Sequence, residues 1–303
     1  MATVGFIGTG NIGNPMCRQV IAQGNEVVVY DQRPEANENL VELGARRAAS
    51  PAEVARACRI VMTSLPGPKE VEDVVRGVNG ILSTAQPGDI HIDLTTNSVT
   101  AAKRMAELEA AAGVLYLDAP VTGGVRGAER GALTVLASGD RLAFDKVEAI
   151  LKALGENVFY LGDSGTGTLV KLINNLIVLC TGQIMQEGIV LGAKAGLDME
   201  RLFELLRLGS ARPNVGLMPY VVGRKFENPS FTLALAAKDV GLALETARDL
   251  AVPMPTTSAA HLTYLRALAA GLGGKSFMAT LEALEAGANT VVPAADLGGQ
   301  ERL

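Results

Sequence analysis

Gly8, Gly10 and Gly13 stand in the spacing G-x-G-x-x-G between the apolar run Val4-Gly5-Phe6-Ile7 and the helix-like stretch 14–23. No other feature narrows the possible folds as much. The run before the glycines is short and apolar, as a strand of a buried sheet is. The residues after them carry apolar positions at helical spacing. A strand that enters a helix through three glycines suits one purpose well. The first glycine allows a tight turn, the second leaves backbone amides open, and the third lets the helix pack close. The helix N-terminus then points its dipole at the turn, which makes an anion site. Glycine supplies 34 of the 303 residues, so the spacing alone is a weak signal and its strand–helix setting gives it weight.

The surrounding pattern agrees. Glu26–Tyr30, Arg59–Thr63 and Asp89–Asp93 read as further short strands, with Leu115–Asp118 and Leu133–Ala137 following and 157–161 as an edge strand. Helical patterns at 14–23, 51–57, 68–76, 99–112 and 141–153 lie between them, and Pro51 and Pro68 fall where a first turn tolerates proline. Alternation of this kind predicts a doubly wound α/β sheet. Beyond about residue 162 the strand signals stop. A long apolar run at helical spacing covers 166–195, and further helices are expected at 198–208, 212–225, 232–250, 256–271 and 276–287. The expected architecture is an N-terminal Rossmann-type domain over 1–162 and an all-α C-terminal domain over 163–303, joined by a long helix. The tail 289–303 reads as frayed.

The formal charge of −5 and the pI near 5.3 argue against a nucleic-acid partner. No apolar run is expected to approach the roughly 20 uninterrupted residues that cross a bilayer, since Lys171, Asn174, Asn175, Gln183 and Gln186 break the longest one. A cytoplasmic protein with a small-molecule partner is the expectation, with no membrane partner. Cys17, Cys58 and Cys180 lie far apart, with neither a disulfide framework nor a metal-binding spacing, and read as buried core thiols. His91 and His261 fall outside every motif and read as packing residues.

Asp31 ends the second strand, where a carboxylate can accept the ribose hydroxyls of a dinucleotide, with Gln32 and Arg33 directly after it. That favours NAD, because a 2′-phosphate would be repelled; Arg33 keeps NADP as the second reading. Lys171 and Asn175 are four residues apart on one helical face. A lysine in an apolar stretch is either tuned for proton transfer or snorkelling from the helix start, and the spacing leaves both open. The segment Asp118-Ala119-Pro120-Val121-Thr122-Gly123-Gly124 offers a hydroxyl and open amides to a carboxylate, or is an ordinary loop.

Four motifs together resemble the β-hydroxyacid dehydrogenase family, which includes 3-hydroxyisobutyrate dehydrogenase and tartronate semialdehyde reductase. Gly5 to Met16 is similar to its G-F-I-G-x-G-x-M-G-x-P-M, Asp118 to Gly124 to D-A-P-V-S-G-G, Gly165 to Asn175 to G-x-G-x-x-x-K-x-x-N-N, and Phe231 through Lys238-Asp239 to a fourth motif. The resemblance implies that Gly8, Gly10, Asn11, Ile12, Gly13, Asp31, Gln32, Arg33, Leu65, Pro66, Thr96 and Lys238 hold the cofactor. It implies that Thr122, Gly123, Gly124, Asn175 and Phe231 bind the substrate, and that Lys171 is the catalytic lysine. The implied reaction is reversible hydride transfer between NAD and a short β-hydroxy acid, giving a semialdehyde, in a homodimer or homotetramer without a metal. Thr122 replaces the family serine, Val99 a frequent proline and Ile12 a methionine; none removes a catalytic group. An NADPH-dependent semialdehyde reductase or imine reductase of the same architecture is the alternative, with a non-catalytic dinucleotide-binding protein behind it. Lys171 and Asp31 argue against the imine reductase.

Overall fold

The structure, a computed structural model, describes residues 2–295 and 297. The chain forms two compact units, the first running to Leu172 and the second beginning at Ile173.

The first unit is built on a nine-stranded sheet. Its strands are β1 (Thr3–Ile7), β2 (Glu26–Tyr30), β3 (Arg46–Arg47), β4 (Ile60–Thr63), β5 (Ile90–Asp93), β6 (Leu115–Asp118), β7 (Val121–Thr122), β8 (Thr134–Gly139) and β9 (Asn157–Tyr160). They lie in the order β3-β2-β1-β4-β5-β6-β8-β7, with β9 paired to β8. From β3 to β6 every pairing is parallel, with Val4 opposite Val27 on one side and Ile60 on the other. The chain order reverses at β1, and that switch point is where doubly wound sheets bind ligands.

The parallel pattern then breaks. β8 runs antiparallel to both β6 and β7. A parallel return needs a full crossover connection, and the chain between β6 and β8 is spent instead on β7 and a six-residue helix. The edge strand over 157–161 is found as β9.

The helices of this unit are α1 (Gly13–Ala22), α2 (Glu38–Glu42), α3 (Pro51–Ala57), α4 (Pro68–Arg76), α5 (Val99–Ala111), α6 (Gly124–Glu129) and α7 (Arg141–Leu151). Local chemistry sets several starts. Ser50, Ser98 and Asp140 each accept an amide hydrogen bond at the head of α3, α5 and α7. Two apolar layers cover the sheet, one holding Val4, Phe6, Met16, Val29 and Leu117 and the other Ile7, Val28, Val61 and Val75. Burying side chains of this size stabilises the unit by about 1.5–3 kcal/mol each. Cys17, Cys58 and Cys180 are all buried, as expected.

Helix α8 (Thr166–Lys194) belongs to the first unit up to Leu172 and to the second thereafter. It overturns one expectation: by length and composition it is apolar enough to cross a membrane, with mean hydropathy 1.5 over its most apolar 18 residues. Mean hydropathy averages over the isolated polar residues that were read as breaks. Half of that window is buried, and within the second unit Gln183 and Gln186 pair with the hydroxyl of Thr280.

The second unit continues with α9 (Met199–Leu208), α10 (Met218–Val222), α11 (Leu233–Asp249), α12 (Pro255–Ala269) and α13 (Thr280–Ala288). α11 and α12 bury alanines, among them Ala236, Ala243, Ala260 and Ala267, and small residues let helices approach closely. A Cβ added at Gly241 would lie 3.4 Å from His261 Nε2, so His261 packs as expected. One helix was expected over 212–225; instead a 3₁₀ turn at Arg212–Asn214 precedes the five-residue α10. Pro213 and Pro219 each remove a helical donor inside that span. The expected frayed tail lies partly outside the described residues. Within them Val292 is buried and its amide donates to Glu285 at 2.7 Å, so that part is docked.

Candidate active site

The glycine turn joins β1 to α1, and its glycines answer different demands. A Cβ on Gly8 (φ +89°) would lie 2.2 Å from the backbone oxygen of Ser64, and one on Gly13 would lie 2.0 Å from the oxygen of Gly8. The fold itself needs both. At Gly10 the nearest atom is the Arg33 guanidinium at 3.6 Å, an ordinary contact. The protein leaves the space over Gly10 open. Ile12 supplies no side-chain cap to α1. Open space beside an uncapped helix start suits a pyrophosphate.

Asp31 follows β2 and faces this turn. Its Oδ2 accepts from the Thr9 amide at 2.8 Å and its Oδ1 from the Arg33 amide at 2.9 Å. These bonds orient the carboxylate and leave each oxygen a second acceptor site for a ribose hydroxyl. The Arg33 Nε sits 3.6 Å from Asp31, while Gln32 points to an exposed position. A cavity of about 380 Å³ is lined here by Thr9, Gly10, Asn11, Asn14, Arg18 and Arg33, among others.

Two more loops join the turn at the carboxyl ends of the strands. Leu65 and Pro66 follow β4, and the Leu65 amide donates to Thr95 Oγ1 at 3.0 Å. Thr95 and the half-buried Thr96 follow β5. The carboxylate of Asp93 at the end of β5 fastens this loop through the Thr95 amide (3.1 Å) and Asn97 Nδ2 (3.2 Å).

Thr122 closes β7 opposite Thr134, and Gly123 (φ +127°) and Gly124 (φ +67°) then turn the chain into α6. Few L side chains accept those dihedrals. Asp118, at the head of the same segment, holds the start of α8. Its Oδ1 accepts from the Gly165 amide at 2.9 Å, and its Oδ2 from the Thr168 amide at 3.0 Å and hydroxyl at 2.9 Å. Burial pushes the Asp118 carboxyl above its ordinary range, and these donors with Ser138 oppose the shift. One buried carboxylate thus ties the Thr122 segment to the helix that carries Lys171. Lys171 is half-buried two turns into α8 at most, with Asn175 one turn beyond it.

In the second unit, Asn175 Nδ2 donates to Asp239 Oδ2 at 2.6 Å. The Lys238 ammonium lies 2.8 Å from Asp239 Oδ1, an ion pair without hydrogen-bond alignment. Phe231 meets Phe277 edge-on, with ring centroids 5.8 Å apart.

Known proteins resemble this chain over most of its length. The profile described as the NAD binding domain of 6-phosphogluconate dehydrogenase matches residues 3–162. The profile described as NAD-binding of NADP-dependent 3-hydroxyisobutyrate dehydrogenase matches residues 165–284. The chain is 33% identical to 2-(hydroxymethyl)glutarate dehydrogenase of Eubacterium barkeri, over 93% of this chain and 94% of that one. It is 34% identical to a probable mitochondrial 3-hydroxyisobutyrate dehydrogenase of Dictyostelium discoideum, over 91% and 88% of the two chains. The solved structure of Mycobacterium tuberculosis 3-hydroxyisobutyrate dehydrogenase with L-serine superposes with a TM-score of 0.83 at 29% identity, covering 94% and 99%. The chain belongs to the β-hydroxyacid dehydrogenase family.

As a β-hydroxyacid dehydrogenase the chain has the two-domain Rossmann-plus-helical architecture expected of it. The sequence singled out neither Asp93, Asp118 nor Asp239 as a site residue. Asp118 and Asp239 stood inside quoted motifs, and a charged residue closing a buried strand was the available sign for Asp93. In this β-hydroxyacid dehydrogenase those three carboxylates hold the elements on which the expected binding residues sit.

Proposed function

We propose that this protein reversibly oxidises a short β-hydroxy acid to its semialdehyde with NAD, and that Lys171 carries the hydroxyl proton. Lys171, half-buried on a helix whose start is fixed by Asp118, carries the reading. A lysine ammonium can give a proton to the reacting oxygen and take it back. Thr122 and the open amides of Gly123 and Gly124 are assigned to the substrate carboxylate. Asn175, oriented by Asp239, is assigned to the substrate beside Lys171. Phe231 is assigned to the substrate and Lys238 to the cofactor. When bound, the dinucleotide accepts or returns the hydride.

Asp31 supports NAD over NADP, since its carboxylate already faces the turn and a 2′-phosphate would meet like charge. Arg33 and Arg18 on the same cavity support NADP as the second reading. Arg33 is held by an exposed ion pair, which contributes little. Ile177, Ile184 and Leu191 recur every seven residues on α8 with side chains exposed in the single chain. That stripe supports self-association into a dimer or tetramer, which sedimentation would reveal. The functional test is a cofactor-reduction screen over C3–C6 hydroxy acids with NAD and NADP in parallel. Turnover of a β-hydroxy acid with NAD is expected; reduction of imines alone, or no turnover of any acid, would overturn the reading.

A further inference from the structure

His91 lies in β5 and Glu109 in α5, and neither exposes any surface. His91 Nδ1 is 2.6 Å from Glu109 Oε1, and Nε2 is 2.9 Å from Thr63 Oγ1 in β4. A histidine–carboxylate pair inside a core is costly, and apolar residues of similar volume would often stabilise the fold better. Glu109 Oε2 is buried with no partner, which adds to that cost. Strand alternation explains why residue 91 is buried; it does not explain why the buried residue is histidine.

The direction of the hydrogen bonds does. The Thr63 hydroxyl has one proton, and it donates that proton to Asp93 Oδ1 at 2.9 Å. The Thr63 oxygen must then accept from His91, so Nε2 carries a proton. Whichever atom holds the proton between Nδ1 and Oε1, Nε2 keeps its own. The donors therefore run one way from His91 through Thr63 to Asp93, with Glu109 holding the other ring nitrogen. Tyr116 packs against the His91 ring with centroids 5.5 Å apart and donates to Asp93 Oδ2 at 3.3 Å. Asp93 is the anchor of the loop after β5, and Thr95 of that loop receives the Leu65 amide.

We propose that His91 is a positioning residue for the nicotinamide end of the cofactor. Held by Glu109, it orients the Thr63 hydroxyl onto Asp93 and so fixes the loops that carry Leu65, Pro66 and Thr96. Hydrogen bonds in such a buried chain polarise one another. Losing the first donor leaves the Thr63 oxygen unsatisfied and frees its hydroxyl to turn away from Asp93. The proposal rests on the cofactor assignment made above for those loops.

Two substitutions separate this role from plain packing. In His91→Gln the amide nitrogen takes the place of Nε2 and keeps the donor to Thr63 while giving up Glu109. In His91→Asn the amide takes the place of Nδ1 and keeps Glu109 while giving up Thr63. Titration with NADH is expected to show at least threefold weaker binding for His91→Asn than for His91→Gln, whichever variant has the lower Tm. Binding within threefold, or weaker binding by His91→Gln, would overturn the relay. If either variant does not fold, Thr63→Ser against Thr63→Val asks the same question: serine keeps the hydroxyl and valine does not. A wild-type protein that binds no NADH would overturn the dehydrogenase reading together with the relay. Wild-type binding with indifferent variants would overturn the relay alone.

Discussion

The two units use their carboxylates in different ways. In the sheet unit, Asp31, Asp93 and Asp118 each accept from backbone amides of a loop or a helix start. In the helical unit, Asp239 takes the Asn175 amide and the Lys238 ammonium, and Glu285 takes both guanidinium nitrogens of Arg224. The sheet leaves spare amides where strands end and helices begin, while the interior of a helix has none to offer. A carboxylate among helices must therefore find side-chain partners. The Val292 amide on Glu285 fits the rule, since it comes from a segment without regular structure. Asp31, Asp93 and Asp118 of the sheet unit thus position backbone, and Glu109 and Asp93 there also hold side chains; in the helical unit Asp239 and Glu285 position mainly other side chains.

Substitutions can break this contrast. Lys171→Ala sets the scale, because it removes the group that the Asp118 cap places. Its kcat should fall roughly 10²–10⁴-fold while NADH affinity stays unchanged; wild-type turnover would remove Lys171 from the chemistry. Asp239→Asn should come next, weakening the charge-assisted hydrogen bond from Asn175, which contributes about 1.5–3 kcal/mol, and the ion pair with Lys238. Steady-state kinetics should show roughly a 10–100-fold loss in kcat/KM, with Tm little changed. Asp118→Ala should do the reverse in kind. It orphans the first amides of α8 and should cost about 1–3 kcal/mol, read as a lower denaturation midpoint. A variant of Asp239 that mainly unfolds, or of Asp118 that mainly slows turnover, would erase the distinction.

Smaller effects sharpen it. Gly10→Ala should leave Tm within a degree or so while weakening NADH binding, because no atom of the protein opposes the added methyl. Gly13→Ala, which drives a methyl into the oxygen of Gly8, should lower stability by about 1–3 kcal/mol. The smallest effect is in pH. Folding raises the Asp118 pKa, so the native state holds that proton more tightly than the unfolded chain does. The associated stability is present below 3.8 and is lost as pH rises from there through the raised folded value. Asp118→Asn should flatten that decline in denaturant unfolding measured across the acid range; an unchanged slope would assign it to another group.

Sequence by itself determined the parts governed by local rules. A strand that runs through G-x-G-x-x-G into a helix has few ways to fold, and the strand and helix periods carried β1, β2, β4, β5, β6, β8, β9 and most helices, but not the two-residue β3 and β7. Lys171 and Asn175 share a helical face because a four-residue spacing puts them there. Local rules failed where partners are distant. The antiparallel turn of β8 depends on what fills the connection from β6. The broken helix near 212–225 follows from Pro213 and Pro219, and the carbonyls they cannot reach take the amides of Arg212 and Met218 in tight turns instead. Only the tertiary structure decided what the acids do, because Asp118 meets Gly165 and Asp239 meets Asn175 across long stretches of chain. It also turned His91 from an alternation residue into an inner link of a buried chain. A residue's period says which way it faces, and the fold alone says what is waiting there.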